Sequence, residues 1–345
     1  MSRLFVLLLP LALVGCGERA GGPVRIRVSL ILGEASEWYK GAARWKELVE
    51  KRTAGRYRVE VIPNARRANN NQSTELQMVQ RGGLEASLES TILLDTTDPR
   101  WMVFSYPWLF PNHGVAKAVC DGPLGQEMLG LLEERGLVGL AYGVNGFRQL
   151  TNNRHPVRRP EDLRGLKIRL PQGLPPCLYE HFGASVHHMN FGDLTLALRT
   201  GEMHAQENPL SVIHSTKLYE VQSHLTLWDY VYDPIVLCVN RRFWEGLPEG
   251  DRAVLRQCAR EAMDYERRLV EEADGVLAEK LAEKGMKVVR LTDTERERFR
   301  QAAAALRPRF EELVGKDLVR RFLEAVAEAD RETRTPAVEQ TPAPR

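Results

Sequence analysis

Cysteine is scarce in this chain, with five in 345 residues, and none falls in a C-x-x-C pair or at zinc-ligand spacing. Redox motifs of the thioredoxin kind and structural zinc sites are therefore excluded. A charge excess of one sign is also missing: 48 basic against 46 acidic residues leave a net charge of +2. Nothing global draws the chain to nucleic acid or to an anionic membrane surface. The short basic pairs Arg66-Arg67 and Arg320-Arg321 read as solvated surface. No nucleophile elbow, H-E-x-x-H, P-loop or dinucleotide fingerprint occurs, and no internal repeat is visible. The histidines His181, His187, His188, His204 and His214 have no metal-ligand arrangement, so neither metal nor cofactor is expected. What the chain does have is 43% apolar and 27% charged residues, enough for proper cores under a soluble surface. Its length suits one large or two medium domains.

The longest apolar stretch is Leu4 to Val14, behind the short positive start Met1-Ser2-Arg3. At about a dozen residues it is too short to span a bilayer and fits the h-region of a secretory signal. It ends in Leu13-Val14-Gly15-Cys16, which resembles the lipobox of bacterial lipoproteins. That resemblance implies removal of residues 1–15, lipid attachment at Cys16, and residues 16–23 as lipidated cysteine and tether. Several acyl chains would make such anchoring stable where one alone is marginal. The other cysteines, Cys120, Cys177, Cys238 and Cys258, have mostly apolar neighbours and read as buried free thiols. An exported chain could pair them, and their spacing names no partners. At the far end, residues 330–345 are expected to be a disordered tail, because the Pro, Thr and Ala after Thr333 show no apolar period.

Between these ends the patterns alternate. Val24 to Leu30 reads as a strand, and a helix follows with Trp38, Ala42, Trp45, Leu48 and Val49 on one face. Tyr57, Val59 and Val61 mark a second strand, and Leu76 and Val79 a second helix stopped at Gly82-Gly83. This order predicts an α/β fold with a largely parallel sheet. Helical character continues over His113 to Gly136, followed by strands at Leu137 to Val144, Leu166 to Leu170 and Ile235 to Val239. Pro248 to Gly285 holds helix formers with no internal proline. A helix of roughly 55 Å, at about 1.5 Å per residue, either bridges two domains or breaks near Gly275. A strand over Met286 to Leu291 and helical segments to Ala329 follow.

Three polar residues occupy distinctive settings. Arg169 alternates with Leu166, Ile168 and Leu170, which on pattern alone puts it with Lys167 on a solvated strand face. Arg148 follows Gly146-Phe147, where glycine permits close backbone approach. Asn208 precedes Pro209 and reads equally as a helix cap. All three fall near ends of predicted strands, where open α/β sheets bind ligands. An arginine fork can hold a carboxylate through two parallel hydrogen bonds.

From about Val24 to Ala329 the chain resembles the substrate-binding subunits of tripartite ATP-independent periplasmic (TRAP) transporters, the DctP family. The matching segments include Tyr106-Pro107-Trp108-Leu109-Phe110, Gly146 to Asn152, Pro160 to Arg169, Ala197 to Gly201 and Gln206-Glu207-Asn208-Pro209-Leu210. The resemblance implies a bilobal periplasmic-binding-protein fold of two α/β domains, with hinge strands and a long interdomain helix. The expected first domain is 24–145 plus 234–273, and the second is 146–233 plus 274–329. It further implies a buried carboxylate ligand held by Arg169, with hydrogen bonds from Arg148 and Asn208. Glu75 matches an acidic position near the pocket, Ser90 and Thr91 follow the strand at Leu84 to Glu89, and Trp228 could wall the pocket. The chain departs from the family at Asn64-Ala65-Arg66-Arg67-Ala68-Asn69-Asn70-Asn71, where a Gly-x-Leu-Gly turn is usual. It departs again at Ala86 to Ser90, which lacks the usual aspartate. The implied function is extracytoplasmic capture of an organic acid for TRAP membrane permease subunits. Two other readings use the same scaffold. One is a sensory lipoprotein. The other is an enzyme, for which Glu75, Glu207 and the histidines are the candidate groups.

Overall fold

The computed structural model describes residues 22–334. The signal segment, Cys16, most of the tether and residues 335–345 lie outside that range.

The first strand, β1 (Val24–Ser29), buries Ile26 and Val28, and the helix Glu37–Arg52 then crosses to the parallel strand β2 (Tyr57–Ile62). Ser36 starts that helix by accepting from the Tyr39 amide at 3.2 Å. Its buried face carries Trp38, Ala42, Trp45, Leu48 and Val49, as the apolar period predicts. β3 (Ala86–Ser90) pairs with the other side of β1. The remaining strands are β4 (Leu137–Asn152), β5 (Lys167–Leu170), β6 (Ser185–His188), β7 (Ala205–Pro209), β8 (His224–Leu227), β9 (Tyr232–Asn240) and β10 (Lys287–Arg290).

The sheet runs β2-β1-β3-β9-β4-β7-β5-β6, with β8 paired to β4 and β10 to β8. It is mixed, not largely parallel. Every antiparallel pairing involves β4 or β9. These two strands are the links between a β2-β1-β3 half and a β7-β5-β6 half. β4 is twice the length its apolar run suggests, because the chain continues in extended form through Asn145, Gly146 and Arg148 into the second half. The fold is thus two α/β lobes joined by shared strands.

The helix Glu249–Glu283 is unbroken over 35 residues. Leu255, Cys258, Ala259, Ala262 and Met263 pack into the core of the first lobe, whereas Leu277, Ala278 and Leu281 enter that of the second. Gly275 does not break it, since its flanking turns are anchored on opposite lobes. The expected helix at His113 to Gly136 is divided into His113–Asp121 and Pro123–Gly130, because Gly122 is extended and Pro123 starts a new helix.

Two boundaries need correcting. The last helix, Lys316–Arg334, was expected in the second lobe, with a tail starting at 330. It runs through Arg334 and returns to the first lobe, where Phe322 meets Phe104 edge-on at 5.2 Å and Val319 is buried. An apolar stripe continuing to Ala329 is what holds it there. The four cysteines in the described range are all free; Cys120, Cys238 and Cys258 are buried, and Cys177 is half-buried. Among the described residues no helix is long and apolar enough to cross a membrane.

Candidate ligand-binding site

A cavity of about 40 Å³ lies between the lobes, where β1, β3, β5 and β7 end. Its first-lobe wall is Ile31, Leu32, Trp38, Gln72, Ser90, Ile92 and Leu93. Arg148, Arg169, Pro171, Phe191, Asn208 and Val212 form the opposite wall, with Asn145 at the link between them. Four of the residues expected from sequence, Arg148, Arg169, Asn208 and Ser90, therefore meet here.

Arg148 and Arg169 are chemically unlike. Arg148 is 3% exposed, and its guanidinium is held within the protein. Its Nε and Nη2 donate to the two carboxylate oxygens of Glu207, and Nη1 donates to Asp233 Oδ2 at 2.6 Å. Nη2 also reaches the Glu207 carbonyl at 3.0 Å and Asn208 Oδ1 at 3.2 Å. Burial works against this charge, but the two carboxylates outweigh it and hold the group above its ordinary range. Tyr230 completes the cluster by donating to Glu207 Oε2 at 2.8 Å.

Arg169 is 1% exposed and has no such partners. Its Nε donates to the Met189 carbonyl at 2.9 Å, and the guanidinium carbon lies 5.9 Å from the Phe191 ring centre. Nη2 is buried without a hydrogen-bond partner. Burial, with only partial relief from Glu207 and with Arg148 repelling, pulls the group down to about 9. The alternation that grouped Arg169 with exposed Lys167 was correct about the strand face. The pattern could not show that Phe191 and the first lobe cover that face at Arg169 and leave Lys167 in water.

The link between lobes supplies Asn145 and Asp233. The β4–β9 register shifts between Val144 and Gly146, so Asn145 is left out of the ladder, as in a β-bulge. Asn145 Nδ2 donates to Asp233 Oδ2 at 2.7 Å, and Asn145 Oδ1 accepts from Trp38 Nε1 at 3.1 Å. Gly146 sits at φ 125°, and a Cβ there would meet Pro209 Cβ at 3.0 Å, so glycine is required. Ser90 Oγ donates to Asp233 Oδ1 at 2.6 Å. Asp233 thus ties three polar residues of the cavity wall together. Sequence reasoning missed Asn145, Asp233 and Trp38. An Asn-Gly pair inside a strand pattern is the one signal that could have flagged a bulge.

Three expected contacts are not made at the cavity. Glu75 is fully buried and not part of the cavity wall, accepts from Ser29 Oγ, and is pushed up to about 8 by burial. Neighbouring Glu89 is likewise raised by burial and by Glu75, so this carboxyl pair belongs to the interior of the first lobe. Thr91 is buried with its hydroxyl unpartnered and is not part of the wall. Trp228 packs among Trp108, Tyr179, Tyr230 and Phe299 in the core of the second lobe. Its apolar bulk braces Tyr230, and it reaches the site only through that tyrosine. The Asn-rich loop meets the second lobe next to Gln72 of the cavity wall. Asn190 Nδ2, on the second lobe, donates to the Asn70 carbonyl at 2.8 Å, and Asn190 Oδ1 accepts from the Gln72 amide at 3.3 Å. Asn64, Ala65, Asn69 and Asn70 all have positive φ in this loop. Asparagine tolerates that region better than most residues, which suits the composition of the loop. Among the described residues no cluster of His, Cys, Asp and Glu could hold a metal ion.

Two lobes closed on a buried, unsatisfied guanidinium define a binding protein for a small anion. Residues 28–313 match the family of bacterial extracellular solute-binding proteins, family 7 (DctP), and the chain belongs to it. A solute-binding protein of Verminephrobacter eiseniae is 34% identical over 298 residues, covering 86% of this chain and 88% of that protein. The 2,3-diketo-L-gulonate-binding periplasmic protein of Escherichia coli is 31% identical over 262 residues, covering 76% and 79% of the two chains. Among solved structures, a sugar acid binding protein from Advenella mimigardefordensis in complex with galactonate superposes with a TM-score of 0.86. It is 32% identical, and the match covers 89% of this chain and 99% of that one.

Proposed function

We propose that this protein captures an organic acid between its lobes, outside the cytoplasm, and delivers it to the membrane subunits of a TRAP-type transporter. The observation that carries the reading is Arg169, a buried guanidinium with an unpartnered Nη2 at the cavity wall. A ligand carboxylate would supply the missing acceptor, and exclusion of water would strengthen that bond. Arg148 positions Asn208 and keeps the wall rigid, while Ser90 and Asn145 offer polar contacts to the body of the ligand. At about 40 Å³ the cavity has room for a few waters but not for an organic acid, so the lobes part to admit a ligand. The β4–β9 crossing near Asn145 and Asp233 and the middle of the long helix are where that bending falls. The first lobe would then comprise 24–145, 234–273 and the last helix, with the second built from 146–233 and the segment between 274 and that helix.

Relatives with these names support the ligand class. They include C4-dicarboxylate-binding proteins of Bacillus subtilis and Rhodobacter capsulatus and a structure from Polaromonas bound to D-erythronate. Of the groups named for an enzyme, Glu207 is held by Arg148 and Tyr230, which favours the binding reading. Screening a panel of organic acids by thermal shift tests the reading, because a ligand raises the melting temperature by mass action. Arg169→Ala should weaken binding of any hit by about 10- to 100-fold, since a hydrogen bond to a charged group contributes about 1.5–3 kcal/mol. Unchanged affinity in that variant would refute the assignment. Lipid anchoring at Cys16 is checked by fatty-acid labelling of cells, which Cys16→Ala should abolish.

A further inference from the structure

The charge count at the site says more about the ligand than the presence of two arginines. Among the described residues, Arg148 and Arg169 are the only charged side chains lining the cavity. The first is already neutralised by Glu207 and Asp233, through five donor contacts from its guanidinium that include Asn208 and the Glu207 carbonyl. The second has an unmet donor and no ion-pair partner. One negative charge on a ligand therefore finds a cation. A second would face neutral Ser90, Asn145 and Asn208, with the Asp233 carboxylate hydrogen-bonded directly to the first two. Apart from neutral Gln72, the rest of the wall is largely apolar, including Ile31, Leu32, Ile92 and Val212. Burying an unpaired carboxylate there carries the full desolvation cost and adds like-charge repulsion.

We infer that the site selects ligands carrying a single negative charge, namely monocarboxylates with uncharged substituents, and that Asp233 is the residue that turns away a second carboxylate. This rests on the carboxylate-capture reading and sharpens it. Asp233 acts by occupying Arg148 Nη1 and by accepting from Ser90 and Asn145, which leaves the second N–H of Asn145 Nδ2 to donate to a hydroxyl or carbonyl oxygen and the Ser90 oxygen to accept from a ligand hydroxyl.

Matched pairs of acids provide the test: lactate against malate, 4-hydroxybutyrate against succinate, and gluconate against glucarate. Isothermal titration at pH 7.5, in two buffers of different ionisation enthalpy, reads both affinity and proton uptake. For the wild type, the monoacid of any pair that binds should be favoured by at least about tenfold, equivalent to one uncompensated interaction of roughly 1.4 kcal/mol. Any diacid that does bind should take up about one proton, entering as the monoanion. Asp233→Asn should narrow or reverse the preference by freeing Arg148. If a diacid binds as the full dianion, tighter than its matched monoacid and with no proton uptake, the inference is overturned while carboxylate capture stands. If Arg169→Ala leaves the binding of every acid unchanged, carboxylate capture itself fails and the inference with it. The proton-uptake measurement needs only the wild type, so a poorly folded Asp233→Asn variant does not remove the test.

Discussion

Arg148 on β4 and Arg169 on β5 are both nearly inaccessible to water, yet their surroundings differ completely. Arg148 has two carboxylates and a carbonyl on its fork, whereas Arg169 has one carbonyl and the face of a phenylalanine ring. The first is part of the framework, and removing it would leave two buried anions behind. The second is an unpaid debt of the folded protein, discharged when a ligand arrives. Burial alone does not mark a functional arginine; the number of its donors left without acceptors does.

The comparison can be broken in three ways. Arg148→Met strands Glu207 and Asp233, so it should destabilise the ligand-free protein by about 3–5 kcal/mol, as breaking a buried ion pair generally does. The midpoint of urea unfolding measures this, and a loss below about 1 kcal/mol would mean that the cluster is not a structural unit. The same contrast exists among buried acids. Asp233 accepts from Ser90, Asn145 and Arg148, whereas both oxygens of Asp95 lack partners and burial pushes that group from 3.8 to about 8. With the folded pKa above the unfolded one, the folded state holds the extra proton. The contribution is fully present below pH 3.8, declines as pH rises, and levels off above about 8. Asp95→Asn should therefore flatten the fall in stability between pH 5 and pH 8, a slope of at most about 1.4 kcal/mol per pH unit for one group. An unchanged slope would point to other buried carboxyls, such as Glu266, also raised to about 8. The smallest effect concerns Arg169. Arg169→Met removes an uncompensated buried cation, so the ligand-free protein should gain about 1 kcal/mol even as it loses its ligand. A melting temperature lower than wild type without ligand would show that Arg169 has a structural partner after all.

Much of this was legible in the residues. The helix Glu37–Arg52 has its cap and apolar face written in its own sequence, and so does the strand register of Ile26 and Val28. The long helix announced itself by length and by its lack of proline. Arg148, Arg169 and Asn208 could be picked out from their settings and from the family resemblance. Other features were illegible because they depend on what lies opposite in space. β4 looked like two segments, since glycine and asparagine within a strand weaken the local signal. The mixed sheet followed from its being shared between lobes, which no local pattern encodes. Trp228 and Glu75 have the composition of pocket residues, but the chain turns them into the two lobe interiors.

The sequence by itself determined the elements, the positions at which strands end, and the residue types available there, because capping, alternation and glycine placement act within a few residues. Only the tertiary structure decided which charges cancel. Glu207 and Asp233 are 59 and 85 residues from Arg148, and the fold brings both carboxylates to one guanidinium. Arg169 receives none, since the face it shares with Lys167 is closed by the opposing lobe and not by an acid. Electrostatic pairing acts through space at a few ångströms, and linear order sets no such distance.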